Sequence, residues 1–153
     1  MKKNNYCGLF GLYEIPYLLA QLTTIFVFVV LVNAFNFIDG IDGLAISFAI
    51  FSILGFEYLN ESSLLTLLNT IFIGGSIPLY YFNFKKENKI FLGDAGSLFL
   101  GSLIALNLFH YLDIDQRVIN GNRVLLSVAV LFYPLIDLLR VFIIRISRKN
   151  HPS

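Results

Sequence analysis

Amide and carboxylate side chains recur every third residue inside a long apolar stretch of this sequence, at Asn33, Asn36, Asp39 and Asp42. Residues three apart on a helix are neighbours on its surface, so consecutive members of this set meet on one face. Their oxygens could converge on a single ligand. Carboxylate and amide oxygens suit a hard cation that carries phosphates. The spacing therefore predicts a metal or phosphate site at residues 33–45.

Two glycines stand beside these carboxylates, at Gly40 and Gly43. A glycine removes the side chain that would keep a neighbour away, so a backbone or a ligand can approach closely. The same residues allow the helix to bend or to end there.

A second polar segment, at residues 91–97, contains Asp94 and Ser97 next to Gly93 and Gly96. Both polar residues have the chemistry of a helix N-cap, and a helix N-terminus offers backbone N–H groups to an anion. Helix capping alone and metal or phosphate binding are therefore both open. The flanking glycines favour the second interpretation, because they suit a crowded ligand site.

The elements that must position these residues are membrane helices. Of the 153 residues, 57% are hydrophobic and 14% are charged, and the mean hydropathy is +0.75. Such a composition excludes an ordinary soluble domain. We predict an all-α, polytopic membrane helix bundle with about five transmembrane helices. The apolar runs are residues 17–37, 44–56, 64–84, 98–112 and 124–136, the last continuing toward Ile146.

Charge predicts how this single membrane domain is oriented. We interpret residues 1–16 as an outer loop, 17–146 as the transmembrane helices with their motif loops, and 147–153 as a cytoplasmic tail. Lys2 and Lys3 then lie on the outer side against the charge rule, which leads us to expect a further upstream segment. Basic residues at the ends of the third and fifth runs mark the cytoplasmic side. These are Lys85, Lys86, Lys89, Arg145, Arg148 and Lys149.

Other candidates for chemistry have simpler interpretations. Asp137 and Arg140 are three apart in apolar sequence, where an ion pair within the helix offsets part of their desolvation. The lone Cys7 is interpreted as a bystander. His110 and His151 lack the spacing of metal ligands. No nucleic-acid-binding motif is present, so nucleic acid is excluded as a partner.

Both aspartate-containing stretches resemble the signatures of a known family, the polyprenyl-phosphate N-acetylhexosamine-1-phosphate transferases (glycosyltransferase group 4). Residues 33–45, NAFNFIDGIDGLA, are similar to one signature, and residues 91–97, FLGDAGS, are similar to a second. The tail from Pro134 through Arg140, Arg145 and Pro152 is similar to the branch that transfers N-acetylglucosamine 1-phosphate, rather than the branch that uses muramoyl-pentapeptide.

The resemblance implies a reaction and a set of roles. Undecaprenyl phosphate attacks the β-phosphate of a UDP-N-acetylhexosamine, and UMP leaves with assistance from Mg²⁺, with Mn²⁺ as a second candidate ion. The implied metal ligands are Asp94 and Asn33, and Phe91 is implied to stack on uracil. The implied catalytic residues are Asp39, Asp42 and Asp94, and the implied nucleotide-sugar-binding residues are Asn33, Asn36, Asp39, Asp42 and Phe91.

The same resemblance implies a multi-pass protein of the bacterial inner membrane, with its active face in the cytoplasm and a role in cell-envelope polysaccharides such as lipopolysaccharide or teichoic acid. Two family features, an Asp-Asp pair and a His-rich loop, do not occur in these 153 residues. We therefore expect this chain to hold the metal and nucleotide half of the site, with a homodimer or a complementing chain segment as a partner. A non-catalytic binding or assembly module and a small ion transporter are the alternative functions.

Overall fold

The computed structural model describes residues 6–9, 13–39, 43–59, 65–85, 92–113 and 121–149. Within these residues the chain forms five helices and two short strands. In chain order they are β1 (Tyr6–Leu9), β2 (Tyr13–Pro16), α1 (Tyr17–Ile38), α2 (Leu44–Leu59), α3 (Thr66–Asn83), α4 (Gly93–Asp113) and α5 (Gly121–Lys149).

The helices confirm the prediction of an all-α membrane bundle. By length and composition three of them could cross a membrane, over Tyr17–Ile38, Gly93–Leu112 and Arg123–Ser147. Helix α2 is a shorter apolar helix of 16 residues, which is about 24 Å at 1.5 Å per residue. Helix α4 begins at Gly93, so Asp94 lies in its first turn.

The segment interpreted as an outer loop contains a small sheet. Strand β1 pairs antiparallel with β2, and Tyr6 lies opposite Pro16. Tyrosine and isoleucine favour the extended conformation of a strand. A proline is tolerated at the end of a strand, because the N–H that it lacks is not needed there for pairing. Pro16 then directly precedes the first residue of α1, Tyr17.

Helices α1 and α4 form the tightest junction of the bundle, and they run antiparallel. Asn36 of α1 meets Ser97 of α4, and one turn deeper Val32 meets Gly101. A Cβ atom on Gly101 would lie 2.5 Å from the Cα of Val32, so the two backbones touch. Since lipid is as apolar as a leucine side chain, close packing of this kind is what holds membrane helices together.

The buried apolar core lies around this junction. It draws on the C-terminal half of α1, the inner face of α2 and the middle of α4. Many other large apolar side chains point outward, as expected for a surface that faces lipid. Fully buried core residues include Leu31, Phe35, Ile38, Ala49, Ile53, Phe56, Leu100 and Ile104.

Consecutive helices alternate in direction, so the C-terminal ends of α1, α3 and α5 lie beside the N-terminal ends of α2 and α4. We call this the motif end, because both aspartate-containing stretches reach it. Contacts across it join Asn36 to Ser97, Gly43 to Phe84 and Phe37 to Arg145.

A polar network ties α3 to its neighbours near the opposite end. Buried Asn69 and Asn107 exchange two hydrogen bonds through their side-chain amides, at 2.8 and 2.9 Å. Asn69 also donates to one carboxylate oxygen of Glu57, and Thr66 donates to the other at 2.9 Å. Polar groups in a membrane must find partners within the protein, so this network fixes α3 against α2 and α4.

Candidate functional site

One hydrogen bond brings the two aspartate-containing stretches together. The side-chain amide of Asn36 donates to the hydroxyl oxygen of Ser97 at 2.9 Å. That hydroxyl donates in turn to the backbone carbonyl of Asp94 at 3.0 Å. Ser97 is fully buried, so its position is set by these two partners and by the packing around them. The last turn of α1 is thereby tied to the first turn of α4.

The same junction brings two carboxylates within electrostatic reach of each other. Asp39 directly follows the apolar span and caps α1, its backbone N–H donating to the carbonyl of Phe35 at 3.2 Å. Burial first, and then the negative charge of Asp94, raise the pKa of Asp39 above its ordinary value of 3.8. A cation placed between the two carboxylates would relieve this repulsion.

The first turn of α4 adds a favourable field for an anion. Asp94 lies in that turn and its side chain is exposed. The preceding residue, Gly93, has a φ of 68°, a left-handed conformation that suits glycine, and no atom of the described residues lies within 4 Å of where its side chain would be. An open, unhindered helix N-terminus beside two carboxylates can accommodate a metal ion together with the phosphates it carries.

The available oxygen ligands fit Mg²⁺ better than a metal ion that is coordinated entirely by protein side chains. Among the described residues, no group of three or more His, Cys, Asp or Glu side chains could hold a metal ion. Mg²⁺ commonly takes one or two carboxylates and completes its shell with water and substrate phosphates. Asp39 and Asp94 can supply those carboxylates, so the predicted role of Asp94 is chemically consistent with its place in the structure.

The predicted residues do not all converge. Asn33 is exposed, and its amide folds back to donate to the carbonyl of Val29 on its own helix, at 2.7 Å. A short amide on an exposed helix face can satisfy itself locally in this way. The place of Asn33 near the metal and phosphates stays a prediction. Asp42 and Phe91 lie outside the described residues.

Helix α5 brings the cationic side chain of Arg145 to the motif end. The sequence alone did not predict a partner for this residue. The guanidinium carbon of Arg145 lies 5.0 Å from the ring centre of Phe37, within the range of a cation–π contact. The other predicted feature of this helix is present: Arg140 bonds to the carboxylate of Asp137, with two nitrogen–oxygen distances of 2.8 Å. No sequence signal joins Phe37 to Arg145, because they belong to helices far apart in the chain.

Comparison with known proteins gives relatives for most of the chain. Residues 2–111 match the profile of a family described as glycosyl transferase family 4. The chain is 39% identical over 103 residues to the phospho-N-acetylmuramoyl-pentapeptide-transferase of Enterococcus faecalis, covering 63% of this chain and 31% of that protein. It is 42% identical over 76 residues to the enzyme of the same name from Streptococcus suis, covering 48% and 23%.

A relative from the other branch aligns over more of the chain. The probable undecaprenyl-phosphate N-acetylglucosaminyl 1-phosphate transferase of Bacillus subtilis is 30% identical over 141 residues, covering 90% of this chain and 38% of that protein. In these three comparisons the chain spans between 23% and 38% of the relative's own length. No solved structure matches the chain.

Proposed function

Because this chain belongs to glycosyl transferase family 4, we propose that it serves in the transfer of N-acetylhexosamine 1-phosphate from a UDP-sugar to undecaprenyl phosphate, with release of UMP. The observation that carries the proposal is the hydrogen bond from Asn36 to Ser97, since it brings Asp39 and Asp94 to one site at the end of a membrane helix bundle. Two carboxylates at a membrane surface suit a reaction between a soluble diphosphate and a lipid phosphate.

The reaction is a phosphoryl transfer, in which one phosphoanhydride bond is broken and another is formed. An oxygen of undecaprenyl phosphate attacks the β-phosphorus of the UDP-sugar and forms a new phosphorus–oxygen bond. The bond from that phosphorus to the UMP oxygen breaks, and its electron pair leaves with UMP. A phosphate monoester is mostly dianionic at neutral pH, so the nucleophile needs little help in losing a proton. The chief demands on the protein are therefore position and charge.

The residues of the motif end would divide these demands. Asp94 and Asp39 would hold Mg²⁺, which when bound neutralises the charge that develops on the diphosphate. Asn36 would keep the last turn of α1 in place through Ser97. By resemblance, Asn33 and Asp42 would line the metal and nucleotide side, and Phe91 would stack on uracil. Asn33 would have to exchange its bond to Val29 for a bond to substrate.

The identity of the sugar is a finer part of the proposal. An alignment covering 90% of this chain includes much of α5, which has 29 residues. The tail on α5 supported the N-acetylglucosamine branch, and the relative that aligns across it carries that sugar in its name. We therefore propose UDP-N-acetylglucosamine as the donor, and the muramoyl-pentapeptide donor as the competitor to be tested.

The positions of the basic residues support an orientation of the chain in the membrane, and that orientation suggests from which side each substrate arrives. Lys85 and Arg145 lie at the motif end, and by the positive-inside rule this end would face the cytoplasm of a bacterial inner membrane. UDP-sugar would arrive from water and undecaprenyl phosphate from the bilayer. The chain would hold the metal and nucleotide half of the site, and a second copy or a complementing segment would complete it.

Binding of the donor tests the proposal most simply. The purified chain is placed in lipid nanodiscs, and binding of labelled UDP-N-acetylglucosamine is measured with Mg²⁺ and with EDTA. We expect binding that requires Mg²⁺ and that UMP displaces but AMP does not. Binding that ignores Mg²⁺, or no binding, would contradict the proposal. Transfer of label to undecaprenyl phosphate in the same discs then separates a complete site from its nucleotide half.

A further inference from the structure

Two aromatic rings at the C-terminal end of α3 lie directly on Gly43. This glycine has a φ of 69°, and a Cβ atom added to it would lie 2.4 and 2.6 Å from two ring carbons of Phe84. The ring of Tyr80 is 3.2 Å from the same point. Both the backbone conformation and the space therefore require glycine here. The close approach expected at this glycine is made by a side chain of the protein itself.

The two rings support each other. Their centres are 4.8 Å apart and their planes are tilted by 52°, a favourable arrangement for an aromatic pair. Tyr80 lies in the last turn of α3, and Phe84 caps that helix. Aromatic residues at a helix end are common anchors at a membrane surface. An anchor needs lipid and water around it, however, and does not need a glycine beneath it.

Gly43 is the fixed point from which α2 starts. Its carbonyl accepts two hydrogen bonds from Ser47, one from the backbone N–H at 2.9 Å and one from the hydroxyl at 2.8 Å. Whatever holds Gly43 therefore holds the first turn of α2. Asp39 is four residues upstream, so the position of Gly43 also limits how far Asp39 can lie from the start of α2.

The stiffness of helix α3 alone does not place the rings of Tyr80 and Phe84 on Gly43. Within the described part of the chain, no atoms lie within 4 Å of where the side chains of Gly74 and Gly75 would be. Pro78 lies within the helix and has no N–H to donate to the turn before it. Tyr80 and Phe84 thus follow the glycines and the proline of α3, and their contact with Gly43 helps to fix where this end of the helix lies.

We propose that Phe84, backed by Tyr80, is a positioning residue that holds the start of α2, and with it the position of Asp39, in the arrangement that binds the UDP-sugar. This inference rests on the proposed function. Phe84 acts through Gly43 and does not itself touch the reacting atoms. The chain offers a matched control in Phe82, an aromatic of the same helix end whose ring contacts Tyr81 and Lys85 instead.

Hydrogen exchange and donor affinity test the inference together. In Phe84→Ala we expect the amides of residues 43–49 to exchange about tenfold faster, equivalent to ~1.4 kcal/mol of local opening. We expect the affinity for UDP-N-acetylglucosamine at saturating Mg²⁺ to fall by roughly the same factor. Phe82→Ala should behave as wild type in both measurements.

A double substitution checks that the contact acts through Gly43. Gly43→Ala should weaken donor binding, because the new methyl group meets the ring of Phe84. Adding Phe84→Ala should cause no further loss, since both changes break the same contact and their effects cannot add. Additive losses would overturn the inference.

Two other results would also overturn it: unchanged exchange at residues 43–49 in Phe84→Ala, or equal effects of Phe84→Ala and Phe82→Ala, which would reveal general membrane anchoring. If the wild-type chain binds no UDP-sugar, the proposed function fails instead. The exchange comparison then still decides whether Phe84 holds the start of α2.

Discussion

The side-chain nitrogen of Asn36 lies 2.9 Å from the hydroxyl oxygen of Ser97, although 61 positions separate the two residues in the chain. The hydroxyl oxygen accepts this hydrogen bond, and the hydroxyl donates another to the backbone carbonyl of Asp94. A single buried oxygen thus connects the first aspartate-containing stretch to the second. The carboxylates of Asp39 and Asp94 interact because this junction holds their helices in register.

Removing that hydroxyl should weaken the junction. In Ser97→Ala the amide of Asn36 loses its acceptor, and we expect the free energy of unfolding to fall by about 1–2 kcal/mol. Ser102→Ala is the matched control, because the Ser102 hydroxyl bonds to the carbonyl of Leu98 in its own helix. Its effect should stay within about 0.5 kcal/mol. Denaturant unfolding in detergent micelles measures both, and equal effects would deny Ser97 its bridging role.

Two glycine-to-alanine changes should have opposite signs. Gly101→Ala places a methyl group against the backbone of Val32, so it should lower the free energy of unfolding by about 3 kcal/mol, the upper end of the usual cost of overpacking. Gly75→Ala meets open space within a helix and should raise it by about 0.5–1 kcal/mol. The same unfolding experiment compares them. A tolerated Gly101→Ala would mean that α1 and α4 do not touch there.

The asparagine pair at the opposite end should behave as one unit. Asn69→Leu and Asn107→Leu each strand the partner amide, whereas the double variant removes both. We expect a coupling energy of roughly 0.6–1.7 kcal/mol from a double-mutant cycle, the range for polar pairs in membranes. Thr70→Ala combined with Asn107→Leu is the control and should be additive, because Thr70 bonds to its own helix. A coupling near zero would show that the pair does not hold α3.

Asp39 should lower the stability of the metal-free protein at neutral pH. Its raised pKa means that the folded state disfavours its charged form, so the cost is complete above the raised value and absent below the ordinary value of 3.8. In EDTA, Asp39→Asn should therefore unfold at a higher temperature than wild type at pH 7. The difference should shrink as the pH falls and vanish near pH 3. A difference that is constant with pH would assign the effect to shape rather than charge.

The sequence predicts the helices well and their contacts poorly. Apolar runs locate all five described helices, and the N-cap chemistry of Asp94 predicts the start of α4 to within one residue. The partners of Asn36, Gly43 and Gly101 have no signal in a single sequence, because each lies on another helix and depends on how the bundle packs. Gly101 is a partial exception, since a glycine within an apolar helix is typical of a close helix contact. The role of Asn33 stays a prediction: its spacing fits the site, and in the structure its amide donates to Val29 on its own helix.

The role of Asp94 is the central claim, and a magnesium titration tests it most directly. The affinity for UDP-N-acetylglucosamine is measured per folded molecule in nanodiscs for wild type, Asp94→Asn and Asp137→Asn. Asp137→Asn is the matched control, because its carboxylate pairs with Arg140 and its loss should act through folding. We expect Asp94→Asn to need at least about tenfold more Mg²⁺ for half-maximal binding, and Asp137→Asn to need the same as wild type. If Asp94→Asn binds the donor at the wild-type magnesium concentration, Asp94 is a helix cap and not a metal ligand.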